Sequence, residues 1–193
     1  MKKIQYSLSI VLLSFASFAA HATIIDFEGL SIDTSVSNQF ASDGIIFGGG
    51  NLVALDNDSR ALCASPPSCI GDIDMTFVDP SDGTTAATTD FLSFKIGDPG
   101  GDLDEWLISV FDINNVLLEA RAVVETAFTI QSFSYTGIHG ALIEWTSPST
   151  FGYTIDDVTF NAPTISTVPE PAAIALLGLG LAGLGFSRKK KTG

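Results

Sequence analysis

The stretch FLSFKI, residues 91–96, places Leu92, Phe94 and Ile96 on one face of an extended chain and Ser93 and Lys95 on the other. Short apolar or alternating runs of this kind recur along the sequence, at 24–27, 44–47, 52–55 and 73–77 before it. They continue after it at 106–111, 116–124, 128–135, 141–146 and 153–160. Gly, Asp, Asn and Ser separate the runs, so each reads as a strand bounded by turn formers. WLISVFD is apolar on both faces and suits a central strand. Asp112-Ile113-Asn114-Asn115 reads as the hairpin turn that returns this strand onto Val116-Leu117-Leu118. About ten such strands, with no constant repeat, predict an all-β antiparallel β-sandwich. A jelly roll is the first expectation and an immunoglobulin-like sandwich the second.

Charge bounds the partners. Residues 23–168 hold 21 carboxylates against Arg60, Lys95 and Arg121, a net −18, while the remaining cations sit at the two ends of the chain. Such a segment repels phosphate backbones, which argues against nucleic acid. Fourteen Phe in a chain that is 46% hydrophobic supply a core and argue against disorder.

The first 22 residues read as a signal peptide. Lys2 and Lys3 begin it, an apolar run from Ile10 to Ala20 follows, and Ala20-His21-Ala22 is a small-x-small site that places cleavage before Thr23. This implies the general secretion machinery as a partner and an oxidising destination. Cys63 and Cys69 enclose ASPPS, and export makes a local disulfide the expected state of the pair. A metal or redox role lacks further Cys/His ligands and the C-x-x-C spacing.

The other end carries three parts in order. Val168-Pro169-Glu170-Pro171 comes first, with Glu170 held extended between prolines. An uncharged Ala/Leu/Gly run over 172–186 follows, and then Arg188, Lys189, Lys190 and Lys191. The run predicts a single transmembrane helix over about 172–187, short for the hydrocarbon core, with the basic cluster on the cytoplasmic side. This order resembles the PEP-CTERM sorting signal of Gram-negative bacteria that produce exopolysaccharide. The resemblance implies that the chain is a substrate of the membrane enzyme exosortase, held in the inner membrane and then passed to the cell surface or matrix. The resulting division is a signal peptide (1–22), an ectodomain (23–162), a linker (163–168) and a sorting signal (169–193).

Between these ends, IDFEGL, GIIF, GDPGGDLDEWLISVFD and GYTIDDVTF resemble, in that order, ectodomains found with this tag, which are similar to lectin-like jelly rolls. The resemblance implies a glycan- or exopolysaccharide-binding architecture, and architecture alone does not assign function. Candidate stacking residues are Trp106, Trp145, Tyr135 and Tyr153. A structural calcium ion is a second expectation. Its candidate ligands are Asp98, Asp102 and Asp104 in the central loop, and Glu28 with Asp156 and Asp157 from the first and last strands. Neither G-x-S-x-G nor H-E-x-x-H is present, and His139 is the one histidine of the ectodomain. A non-catalytic binding module or a structural matrix protein is therefore expected. A glycan hydrolase using paired carboxylates is the alternative.

Overall fold

The computed structural model describes residues 22–48, 51–56, 59–98, 103–148 and 152–165. Twelve strands appear in chain order: β1 (Ala22–Ile25), β2 (Ser35–Val36), β3 (Ile45–Gly48), β4 (Asn51–Asp56), β5 (Ser59–Ala64) and β6 (Ile73–Phe77). They continue with β7 (Leu92–Gly97), β8 (Asp104–Asp112), β9 (Leu117–Glu125), β10 (Thr129–Phe133), β11 (Ile138–Trp145) and β12 (Thr154–Asn161). A 3₁₀ turn, Ala41–Asp43, precedes β3.

The strands form two sheets. One runs β10-β7-β12-β5-β4-β2, with β1 also paired to β12, and the other runs β3-β6-β11-β8-β9. Every strand pairing is antiparallel. Only β4–β5 and β8–β9 are sequence neighbours paired in one sheet; from β5 to β8 and again from β9 to β12, each successive strand crosses to the opposite sheet. That winding makes a jelly-roll-like sandwich, as the strand pattern predicts.

The inner faces supply the core. In β6, Ile73, Met75 and Phe77 are fully buried between outward-facing Asp74 and Thr76, the period-2 alternation of a strand with one wet face. Phe77 of β6 packs on Phe160 of β12 at 5.1 Å between ring centroids, so rings from the two sheets meet, and within one sheet Phe94 stacks on Phe133 at 6.3 Å. Burial of each such ring contributes about 1.5–3 kcal/mol.

The structure adds two strands that the sequence pattern did not suggest, the short β2 and β5. SRALCA, in β5, has no β-branched residue, yet it lies between β4 and β12, and Ala61, Leu62, Cys63 and Ala64 are all buried. Position within the sheet overrides propensity there. The Asp112 turn forms as expected. Asn115 N–H donates to the Asp112 carbonyl, Asp112 Oδ1 accepts from Asn114 N–H and Val116 N–H at 2.8 Å, and Asn115 takes a positive φ of 59°.

Cys63 and Cys69 form a disulfide with Cα atoms 5.0 Å apart, tying β5 to the loop that follows it. At the opposite end of β12, Ala22 pairs with Asn161. Thr164 exchanges two backbone hydrogen bonds of 2.9 Å with Thr88, so regular pairing continues past residue 162.

Candidate functional site

The outer face of the five-stranded sheet holds a cleft of about 390 Å³. Alternation in β6 turns Asp74 and Thr76 into it, opposite Leu142 and Gly140 of β11 in register. Phe111 of β8 pairs with Gly140 on the other side, and Asn115 enters from the hairpin. Phe111 and Leu142 thus provide apolar contact among polar groups, the combination that suits a sugar ring.

Two glycines shape this surface. A Cβ at Gly140 would stand 2.8 Å from the Met75 carbonyl oxygen, so β11 approaches β6 here only without a side chain. A Cβ at Gly48, paired with Asp74, would stand 3.2 Å from Asp74 Oδ2, so Gly48 leaves that carboxylate uncovered.

His139 lines the cleft where the β11–β8 register shifts. Its Nδ1 lies 2.7 Å from the Ala87 carbonyl oxygen. A carbonyl only accepts, so Nδ1 carries a proton and donates it to that carbonyl. Asp74 is exposed by area, but the cleft walls partly desolvate its carboxylate and raise its pKa. The His139 charge and the Met75 N–H oppose that shift.

The aromatic residues that the sequence suggests for stacking lie elsewhere. Trp106 is 1% exposed and Tyr153 fully buried, so both belong to the core, a correction to the expectation. Tyr153 stacks on Trp145 at 5.7 Å and on Trp106 at 5.8 Å, and its hydroxyl donates toward the Gly71 and Ile143 carbonyls. Trp145 packs at the margin of this stack, half-buried. Tyr135 is exposed; a hydrogen bond to Glu119 raises its pKa, and it does not line the cleft. Inward phase decides the matter: the largest rings fill the interior, and the smaller outward residues Asp74, Thr76, Phe111 and Leu142 make the cleft. The alternation in IDMTF and WLISVFD contained that signal.

The calcium candidates divide. Asp102 lies outside the described residues, while Asp98 and Asp104 flank that gap, Asp104 buried. Glu28 and Asp156 do converge: Ser59 Oγ lies 2.9 Å from Glu28 Oε1 and 3.2 Å from Asp156 Oδ2. Burial raises the pKa of Asp156, and Asp157, beside it, is exposed. Glu28 is also engaged by Arg60, whose backbone N–H donates to Oε1 at 2.8 Å and whose Nη1 reaches Oε2 at 3.3 Å. Among the described residues no group of three or more His, Cys, Asp or Glu is arranged to hold a metal ion.

Among the described residues that line the cleft, Asp74 is the one carboxylate. A second hollow of about 270 Å³ lies at the end of the sandwich, lined by Thr88, Thr89, Asp90 and Asn161 among others. There Asn161 Nδ2 donates to Asp90 Oδ1 at 2.7 Å.

Residues 1–21, where the signal peptide is expected, and Val168, Pro169, Glu170, Pro171 and the Arg188–Lys191 cluster, lie outside the described residues. For the C-terminal segment the deciding comparison is with family profiles. Residues 167–189 match the PEP-CTERM protein-sorting motif. This PEP-CTERM segment contains all four residues of the Val-Pro-Glu-Pro element. A comparison with curated proteins gave no match. Among solved structures, the chain is similar to a family 29 carbohydrate-binding module from Piromyces equi, with 12% identity, TM-score 0.43, and 75% of this chain and 92% of that chain covered. It is similar also to the CBM22-1 xylan-binding domain of Paenibacillus barcinonensis Xyn10C, with 15% identity, TM-score 0.41, and 76% and 97% covered. A third, an Arthrobacter globiformis T6 isomalto-dextranase complexed with panose, shares 10% identity at TM-score 0.38, with 74% and 32% covered. The sandwich architecture rests on the sheet order above, independently of these distant likenesses.

Proposed function

We propose that the protein is an exported substrate of exosortase, and that its ectodomain is a non-catalytic module that binds glycan in the Asp74–Phe111–Leu142 cleft. The sorting half is supported by the motif at 167–189. By this reading the chain passes through an inner-membrane intermediate, its ectodomain outside and its basic end in the cytoplasm, before release to the surface or matrix. The binding half rests on one observation: a solvent-open cleft on a sheet face, with an aromatic and an aliphatic side chain set among hydrogen-bonding groups.

A structural calcium ion is the remaining element of the proposal. Glu28, Ser59 and Asp156, drawn from three separate parts of the chain, bring hard oxygens to one corner of the fold.

Binding is tested by titrating the full chain in non-ionic detergent with a panel of soluble polysaccharides, beside Phe111→Ala. Affinity for at least one polymer, weakened about tenfold or more in the variant, is the expected result. Binding that is unchanged in Phe111→Ala would place the site elsewhere.

A further inference from the structure

We propose that the cleft selects a protonated amine on its ligand, so that the glycan is an amino-sugar polymer carrying free amino groups. This rests on the glycan reading above and narrows it to one chemical class.

The disposition of the cations is the first argument. The ectodomain has three, and each is committed to another part of the fold. Arg60 is held by Glu28, Lys95 Nζ lies 4.3 Å from the Phe128 ring centroid, and Arg121 is bound to Glu119 and Gln131. None of the three lines the cleft. A uronate or sulfated polymer would therefore meet a strongly anionic domain with no Lys or Arg in the site to receive it.

The cleft itself is the second argument. Its polar lining offers acceptors: the Asp74 carboxylate, the Thr76 hydroxyl and the Asn115 amide oxygen. Acceptors of this kind suit a donor, and an ammonium group presents three N–H donors together with a positive charge for the exposed Asp74 carboxylate. Asp74 stands uncovered because residue 48 is glycine. The partial desolvation that raises its pKa also strengthens any ion pair made there. Phe111 and Leu142 can meanwhile contact the apolar face of the sugar bearing the amine.

The experiment compares four soluble polymers binding to the full chain in non-ionic detergent at about 0.15 M salt. They are a de-N-acetylated hexosamine polymer, the same polymer re-N-acetylated, a neutral glucan and a uronate polymer. The free-amine polymer should bind about tenfold more tightly than its N-acetylated form, the scale of one charge-assisted hydrogen bond. That ratio should fall to about twofold or less in Asp74→Asn, which removes the charge, and in Gly48→Val, which covers it. It should persist in Asp43→Asn, where the lost carboxylate is exposed and outside the cleft. A preference for the amine that survives in Asp74→Asn would mean diffuse attraction to an acidic protein and would overturn the proposal. Equal binding of the free-amine and N-acetylated polymers would overturn it while leaving glycan binding intact. Binding of none of the four would remove the glycan reading itself.

Discussion

The guanidinium carbon of Arg121, on β9 of one sheet, lies 4.4 Å from the ring centroid of Phe133, on β10 of the other. The same group is anchored on Glu119 through Nε at 3.0 Å and Nη2 at 2.8 Å, and it donates through Nη1 to Gln131 Oε1 at 2.9 Å. β9 and β10 are the terminal strands of their sheets, so one side chain clasps the open edge of the sandwich.

Replacing Arg121 by Met keeps the apolar stem and removes the planar fork. About 1 kcal/mol of stability should be lost, since the pair is partly solvent-screened. Lys should rescue little of it, because a point charge cannot serve Glu119 and Gln131 together. Urea unfolding of the three proteins measures this, and equal midpoints would show that the edge closes without the clasp.

The turn at Asp82 should respond to acid. Asp82 Oδ1 accepts from the N–H groups of Thr84 at 2.9 Å and Thr85 at 2.8 Å, and Thr85 Oγ1 donates to Oδ2. The Thr85 hydroxyl and N–H lead in lowering its pKa from 3.8 to about 2. A folded-state pKa below the unfolded one means stabilisation present above about pH 4 and lost as pH falls through about 2. Carboxyl-carbon NMR should show Asp82 still ionised at pH 3, and Asp82→Asn should flatten the dependence of stability on pH in that window. Titration near 3.8 would contradict the turn geometry.

Asp156 predicts the opposite sign. Its folded-state pKa is raised, chiefly by burial, so its contribution is fully present below the unfolded pKa and is lost as pH rises through the folded value. Calcium would reverse that cost by stabilising the charged form. Millimolar calcium, and not magnesium, should raise the melting temperature of the full chain, and Asp156→Asn should abolish the shift. Identical melting in calcium, magnesium and EDTA would dismiss the ion.

The Cys63–Cys69 bridge closes a short loop, so reduction should destabilise the protein by no more than about 2 kcal/mol. Both thiols should resist alkylation until reduced. Alkylation of the native protein without reductant would contradict the bridge.

For sorting, Glu170→Gln or replacement of Pro169 and Pro171 should leave export intact and trap an unprocessed, membrane-bound chain. Mass spectrometry of the two termini reads this directly. Normal-size product in the medium would dismiss the processing role of the Pro-Glu-Pro element.

Much of the sandwich was legible because alternation is a local property. FLSFKI, WLISVFD and the Asp112 turn each show their strand or hairpin without knowledge of any partner. β5 did not, because SRALCA becomes a strand through neighbours far from it in sequence. The cleft was illegible for a related reason. Asp74, Phe111 and His139 are separated by tens of residues, and only the registers of β6, β11 and β8 bring them to one face. Tryptophan drew the stacking expectation by its size, and that same size places Trp106 inside.

The pairing of Thr23 with Phe160, together with the Thr88–Thr164 bridge, sets the length of a leash. Both ends of the described chain lie at one corner of the domain, and Pro169 comes five positions after Thr164, at most about 18 Å of extended chain. In the proposed membrane intermediate the folded sandwich would thus stand within roughly its own radius of the lipid, like a buoy on a short mooring. An enzyme that cuts at the Pro-Glu-Pro element would have to work in the gap beneath it. Under that reading the tether limits the shape of that enzyme: its catalytic groups would sit level with the bilayer surface, beneath the sandwich.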